Sequence, residues 1–341
     1  MIETTVIIPN LNGMNYLGDC LRSLYHCETP EAGKRREGEA ETDHKLQPAF
    51  PIIVVDNGST DGSVEFMERE FPEVRLIRFS ENRGFCGAVN AGIAVAKTPY
   101  VILLNNDTTV GAGFVSYLTE AVSRNQNYFS VGAKMVSMKQ PELIDDAGDY
   151  YCALGWAFAR GKGKSASRYT KPCNVFAACA GAAIYRRDIL ERLGGFDEAH
   201  FAYLEDMDIG YRARLCGYRN RFEPKALVYH AGSASSGSRY NAFKVRLSSR
   251  NSVYLIGKNM PPLQIILNLP FLLCGFFIKY LFFTKKGFGR LYLEGLLNGW
   301  KLCRSKEGRK RRVKFQLSRL PAYVRIEGEL LYNLFVRRIF C

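Results

Sequence analysis

A chain of 341 residues, 47% of them hydrophobic, is long and apolar enough to bury one large core or two, and this composition excludes a disordered or fibrous polypeptide. The net charge of +14 is unevenly placed: 30 Lys and Arg face 29 Asp and Glu up to Gly257, whereas 17 face 4 from Lys258 onward. Ten cysteines without any Cys-x-x-Cys spacing argue against zinc modules and leave free thiols as the expectation.

The opening MIETTVIIPN enters a strand-like run directly and lacks signal-peptide regions, so a reducing cytosol is expected. TTVIIP (4–9) predicts a strand and residues 14–26 a helix. Residues 28–48 are polar, charged and aperiodic, which predicts a surface insertion. PIIVVD (51–56), a helix over 63–70, VRLIRF (74–79), a helix over 87–97 and YVILLN (100–105) follow. This alternation predicts a parallel sheet covered by helices. From about 128 the pattern becomes α+β, with VFAACAGAAIY (175–185), a helix entered near Glu205, and short strands at 219–222 and 227–230.

Residues 261–283, PPLQIILNLPFLLCGFFIKYLFF, form the most apolar stretch, but Gln264, Asn268, Pro270 and Lys279 interrupt it. A span needs about twenty predominantly apolar residues, so the segment is expected to lie at, or dip into, one leaflet. Lys258 before it, and Lys285, Lys286, Arg290 and the run over 309–312 within KLCRSKEGRKRRVK (301–314) after it, would hold it against an anionic membrane surface. A buried helical hairpin or an oligomer interface is the alternative. A basic tail also attracts nucleic acid, but its apolar neighbour suits lipid better, and no nucleic-acid partner is expected.

Ligands of parallel sheets bind at the C-terminal strand ends. Three such ends are polar here: Asn10 and Asn12, Asp56 and Asn57, and Asn106 and Asp107. VVDNGSTDGS (54–63) is either a turn with Ser59 or Asp61 capping the next helix, or a site where Asp56 accepts hydrogen bonds from the N–H edge of a uracil or thymine. ENRGFCGAVNAGI (81–93) serves either turn chemistry or close backbone approach to a ribose and diphosphate, with Arg83, Gly84 and Asn90 as candidates. In LLNNDTTV (103–110), Asp107 either turns the chain or binds a divalent cation that neutralises a diphosphate. His230 is either a satisfied structural histidine or a further ligand. FAYLEDMDIGYRARLCGY (201–218) places Glu205, Asp206 and Asp208 at a helix entry, more acids than the helix dipole requires. One of Glu205 and Asp206 is expected to face a pocket, where a carboxylate suits general-base work on an alcohol, while the other pairs with Arg212 or Arg214.

Taken in order, VIIPNLNG, VVDNGSTDGS, NRGFCGAVNAGI, LLNNDT, CAGAAIYRRDILERLGGFDE, YLEDMDIGYRARLCGY, VYHAGSASSG and SSRNSVYLIGKN resemble glycosyltransferase family 2, in particular its rhamnosyltransferase-like branch of bacterial surface-polysaccharide synthesis. The resemblance spans about 4–259. It implies an α/β, GT-A type Rossmann-like nucleotide-binding sheet with helices on both faces over 1–259, followed by a basic, apolar, helical region over 260–341 that associates with the membrane. It further implies inverting, metal-dependent transfer of one sugar, rhamnose or a similar hexose, from a dTDP- or UDP-sugar to a hydroxyl of a polyprenyl-linked or cell-surface glycan. The expected setting is the cytoplasmic face of the cell membrane, and the expected cation is Mg²⁺ or Mn²⁺.

On this resemblance, Pro9, Asn10, Asn12, Asp56 and Asn57 would frame the base and ribose, and Arg83, Gly84, Asn90, Asn105 and Asn106 would complete the donor site. Asp107 matches the last position of the family's Asp-x-Asp motif; the first is Asn105 here, which implies a more loosely held cation. Asp206, beside Glu205, would be the catalytic base and His230 a second protein ligand. The Gln-x-x-Arg-Trp motif of processive synthases is absent, so single addition is expected. A sugar-phosphate nucleotidylyltransferase would need a basic phosphate loop after the first strand, and NLNGMNYLGD has no basic residue. A non-catalytic membrane-bound partner of the same fold would have no reason to keep both Asp107 and Asp206.

Overall fold

The computed structural model describes residues 2–29, 48–232 and 240–340. The expected insertion, apart from its ends, and the residues after Gly232 in VYHAGSASSG lie outside the described residues. In chain order the first half runs β1 (Thr4–Asn10), α1 (Met14–His26), β2 (Ile52–Asp56), α2 (Ser63–Glu70), β3 (Arg75–Arg78), α3 (Gly84–Val95), β4 (Tyr100–Leu104), β5 (Thr108–Val110) and α4 (Phe114–Ser123). The second half adds β6 (Tyr128–Ser137), β7 (Ile144–Asp146), β8 (Asp149–Cys152), β9 (Trp156–Ala159), β10 (Cys173–Val175), β11 (Ala182–Arg186), α5 (Arg187–Arg192), α6 (Glu205–Leu215) and β12 (Arg219–His230). Helices close the chain: α7 (Ala242–Asn259), α8 (Pro262–Lys285), α9 (Gly289–Arg304), α10 (Lys306–Arg311) and α11 (Leu320–Phe340).

The central sheet has the order β10-β12-β6-β11-β4-β1-β2-β3. Only part of it is parallel, as the alternation predicts: β3, β2, β1 and β4 run together, while β11 opposes both β4 and β6. Both faces are covered, which explains the unbroken apolar runs of the early strands. Val6 and Ile8 of β1, with Ile102 and Leu104 of β4, face a core shared with α1 and α4; Ile7, Val101 and Leu103 face the core under α3.

Two stretches differ from expectation in an instructive way. VFAACAGAAIY divides into β10 and β11 around an irregular Phe176–Gly181 segment. The two short strands expected at 219–222 and 227–230 are one strand, β12, whose pairing with β6 shifts between Glu223 and Leu227. Pro224 lies in that interruption and supplies no N–H to a ladder.

The helix α8 runs unbroken through Pro270 for 24 residues. Its polar interruptions fall on one face: Gln264 and Asn268 are buried, and both amides donate to Glu327 of α11 (2.8 Å). Tyr211 of α6 donates to Gln264 Oε1 (2.8 Å). Lys279 lies over the Trp156 ring, 5.4 Å from its centroid. The apolar residues point the other way, with Leu263 68%, Ile266 65% and Phe277 60% exposed. Among the described residues, α8 is the one helix long and apolar enough to cross a membrane, with a mean hydropathy of 2.0.

Candidate active site

A cavity of about 1060 Å³ opens beyond the C-terminal ends of β1 and β4, and Asn10, Asn57, Asp107, Asp149, Asp206 and His230 are among its walls. Pro9, Gly84, Asn105, Asn106 and Glu205 also line it. Asn12, Asp56, Arg83 and Asn90 do not, and each has a local reason.

The Asp56 carboxylate is buried in the turn after β2. It accepts hydrogen bonds from Asn10 Nδ2 (3.0 Å) and from the backbone N–H groups of Gly58 (3.2 Å) and Ser59 (3.0 Å). These contacts fit the turn reading, and Asp56 is not among the residues that line the cavity. Asn12, with φ at 51°, accepts from Thr60 N (2.9 Å) and stitches the β1 and β2 loops together. Arg83 is exposed and lies over the Phe79 ring at 4.4 Å. Asn90 sits within α3, where its amide exchanges hydrogen bonds with the Phe196 backbone (2.8 and 3.0 Å), outside the cavity. Asn10 accepts from Asn106 Nδ2 (2.7 Å), a contact that only Gly13 permits, since a Cβ there would lie 2.1 Å from the Asn106 amide.

Strand pairing brings Asp107 and His230 together. β5 pairs antiparallel with β12, His230 opposite Thr108, and Ala231 N donates to the Asp107 carbonyl (3.0 Å). Asp107 Oδ1 then lies 3.2 Å from His230 Nε2. The other ring nitrogen, Nδ1, is 2.7 Å from Asp145 Oδ2. Asp145 occupies a register shift between β6 and β7, and a bulge of that kind re-aims a side chain. Burial opposes a charge on His230, but hydrogen bonds to Asp107 and Asp145 hold its pKa up at about 9. Carboxylate, imidazole and a carboxylate behind the imidazole form a donor set that fits a divalent cation, which would displace the Nε2 proton while the rear carboxylate keeps the proton on Nδ1.

Glu205 and Asp206 begin α6. The chain reaches them through three left-handed residues that are not glycine, Phe201 (φ 64°), Tyr203 (69°) and Leu204 (66°). Such backbone costs on the order of 1 kcal/mol or more per residue and persists only where surroundings over-determine it. Gly84 is part of that surrounding: a Cβ on it would lie 2.5 Å from the Phe201 carbonyl. Glu205 is buried and Asp206, which lines the cavity, is half-buried. Burial, then the charge of Asp206, pushes the Glu205 carboxyl up; burial raises Asp206, while backbone N–H groups at Met207 and Ala180 hold it back. Of the two carboxyls, Glu205 thus carries the stronger push toward its neutral form. Asp208 is the acid that pairs with Arg212 (2.7 Å), and it also accepts from Lys258 (2.9 Å) and Asn259 (2.8 Å).

Two acidic clusters compete for the role of cation site among the described residues. In Asp197, His200 and Asp208, the Lys258 ammonium already bridges the carboxylates at 2.6 and 2.9 Å, so Lys258 is buried in this cluster and, contrary to expectation, does not face a membrane surface. In Asp146, Asp149 and Cys179, burial pushes all three groups toward their neutral forms, and a thiol is a poor partner for hard cations. Sequence reasoning missed Asp145, Asp149 and Lys244. The clustered acids of IDDAGDY (144–150) were the available signal for the first two. Lys244, on the first turn of α7, lines the cavity; burial and Lys162 lower its pKa while the charge of Asp107 raises it.

This arrangement, a mixed sheet with a polar cavity at the ends of its parallel strands, is the architecture of the GT-A glycosyltransferases. It aligns with a structure of GalNAc-T7 with UDP, GalNAc and Mn²⁺ at a TM-score of 0.56 and 17% identity, over 76% of this chain and 48% of that one. It also aligns with the mannosyltransferase PcManGT of Pyrobaculum calidifontis, bound to GDP-Man and Mn²⁺, at a TM-score of 0.50 and 17% identity, over 96% and 87%. Residues 5–194 match the model of glycosyl transferase family 2, and the chain belongs to that family. It is 30% identical over 210 residues to an N-acetylglucosaminyl-diphospho-decaprenol L-rhamnosyltransferase of Mycobacterium tuberculosis, a match covering 54% of this chain and 68% of that protein. The O-antigen biosynthesis protein RfbC of Myxococcus xanthus is 28% identical over 198 residues, 55% of this chain and 15% of that protein.

Proposed function

We propose that this glycosyltransferase moves one sugar, rhamnose or a similar hexose, from a dTDP- or UDP-sugar to a hydroxyl of a polyprenyl-linked glycan, with inversion and with a divalent cation. The observation that carries the reading is the convergence of Asp107, His230 and Asp206 on one cavity at the strand ends. Asp206 takes the proton of the acceptor hydroxyl as that oxygen attacks the anomeric carbon. Asp107 and His230 would hold the cation, with Asp145 orienting the imidazole. When bound, the cation neutralises charge on the departing diphosphate. Asn10, Asn57 and Asn106 frame the nucleoside side, and Lys244 adds positive charge beside the diphosphate.

The acceptor enters from the opposite wall. Ala157, Phe158 and Ala159 of the β8–β9 hairpin line the cavity, while its Trp156 donates to Gly275 O of α8 (3.1 Å). The hairpin thus lies between the cavity and a helix whose outward face is apolar. That face, with Lys285, Lys286 and Arg290 beyond it, rests on the cytoplasmic surface of an anionic membrane, each nearby cation adding about 1 kcal/mol. A lipid-linked acceptor then meets the active site at its own surface.

The test is a donor screen on purified protein, with dTDP-rhamnose beside UDP-sugars, a polyprenyl-diphosphate-linked glycan as acceptor, and Mn²⁺ present or chelated. Transfer of one sugar that stops in EDTA is expected. Full activity in excess EDTA contradicts the cation, and release of free sugar nucleotide from a sugar phosphate and nucleoside triphosphate contradicts the reaction.

A further inference from the structure

The stretch SSRNSVYLIGKN lies on α7; its first residue, Ser248, lines the cavity, and the reaction described above makes no use of the rest. Its contacts converge on one place. The fully buried Asn251 side-chain amide donates to the carbonyls of His200 (2.9 Å), Ala202 (2.8 Å) and Tyr203 (2.7 Å). Arg250 Nη2 donates to the carbonyls of Ala199 (2.7 Å) and His200 (2.8 Å). The Phe201 carbonyl between them accepts from Cys86 N of α3 (3.1 Å). Every carbonyl from Ala199 to Tyr203 is therefore held, and these are the carbonyls of the left-handed turn that delivers Glu205 and Asp206. A second grip lies two turns further along α7. There Lys258 bridges Asp197 and Asp208, and Asn259 donates to Asp208, so the same helix holds the chain on both flanks of the turn.

We infer that Asn251, assisted by Arg250, is a positioning residue for the transfer step: it holds the strained 201–204 turn in the conformation that aims the Asp206 carboxylate at the acceptor. The inference rests on the reading of Asp206 as the base. An amide is suited to this task because its two N–H groups reach three carbonyls without bringing a charge into a buried site beside two acids. A merely structural asparagine would stabilise the fold without acting on one step of the reaction. Misplacing a reacting group by an ångström costs about 10²-fold in rate, whereas donor binding uses the other side of the cavity.

The experiment measures kcat, KM and calorimetric donor affinity for Asn251→Ser, Arg250→Lys, Asp206→Asn and the pair Asn251→Ser with Leu204→Gly. Asn251→Ser is expected to lose about 10²-fold in kcat with donor affinity unchanged, and Arg250→Lys to lose less. Glycine occupies left-handed backbone without strain, so Leu204→Gly is expected to return part of the kcat lost in Asn251→Ser. Wild-type kcat in Asn251→Ser overturns the inference, as does a loss confined to donor affinity, or a Leu204→Gly change that only adds to the loss. If Asn251→Ser fails to fold, Arg250→Lys decides, and wild-type kcat there overturns the inference. Asp206→Asn separates the two readings: if it still transfers, the base assignment falls, and if it is inactive while Asn251→Ser is fully active, only the positioning role falls.

Discussion

Asp107 and Asp206 look alike in sequence, each an acid next to a polar neighbour at the end of an element, yet the fold holds them by opposite means. Asp107 follows β4 on unstrained backbone, its place set by the β5–β12 register and the Ala231 hydrogen bond. Asp206 stands beyond three left-handed residues, and helices α3 and α7 supply the restraint. A cation site at a strand end inherits its geometry from the ladder. The acid proposed as the base is delivered instead by a turn whose carbonyls are held from outside it.

The contrast is broken most forcefully at Asp206. Asp206→Asn is expected to bind donor normally and lose transfer by about 10²-fold or more, measured as initial rate against calorimetric affinity; wild-type rate would move the base elsewhere. Asp107→Ala should abolish cation-dependent donor binding, and His230→Ala should weaken it, both visible in titrations with and without Mn²⁺. Asp145→Asn is expected to weaken cation affinity by about 10- to 100-fold while leaving the fold intact, because it removes only the carboxylate behind the imidazole. The acid limb of kcat should lie above the ordinary carboxyl range of about 4, since burial raises Asp206 and a base works only when deprotonated; rate then rises with pH through that limb to a plateau. Smallest is Glu205→Gln: if the shared proton resides on Glu205, a neutral amide of the same shape leaves the rate at neutral pH nearly unchanged. A loss as large as that of Asp206→Asn would exchange the two roles.

The sequence displayed one side of this contrast better than the other. The parallel strands and their polar ends were legible because apolar runs report on sheet edges, whereas the pairing of Asp107 with His230 was suggested only by the resemblance to the family. Asp56 was ambiguous, and its carboxylate accepts from the two backbone N–H groups of the turn that follows it. Asp145 was invisible because a register shift, not a pattern of residue types, aims it. The turn at 201–204 carried no warning either, since Phe-Ala-Tyr-Leu contains no glycine to announce left-handed backbone. In α8 the polar residues looked like breaks in an apolar run, whereas the spacing of Gln264 and Asn268, one helical turn apart, puts them together on the inward face.

The central claim is that a single carboxylate, Asp206, activates the acceptor while no side chain attacks the sugar. The anomeric configuration of the product tests it most directly. Transfer from a donor of defined configuration, followed by proton NMR of the new glycosidic linkage, should show inversion. A product that retains the donor's configuration would contradict the account, because retention requires chemistry at the anomeric carbon that a base on the acceptor cannot perform.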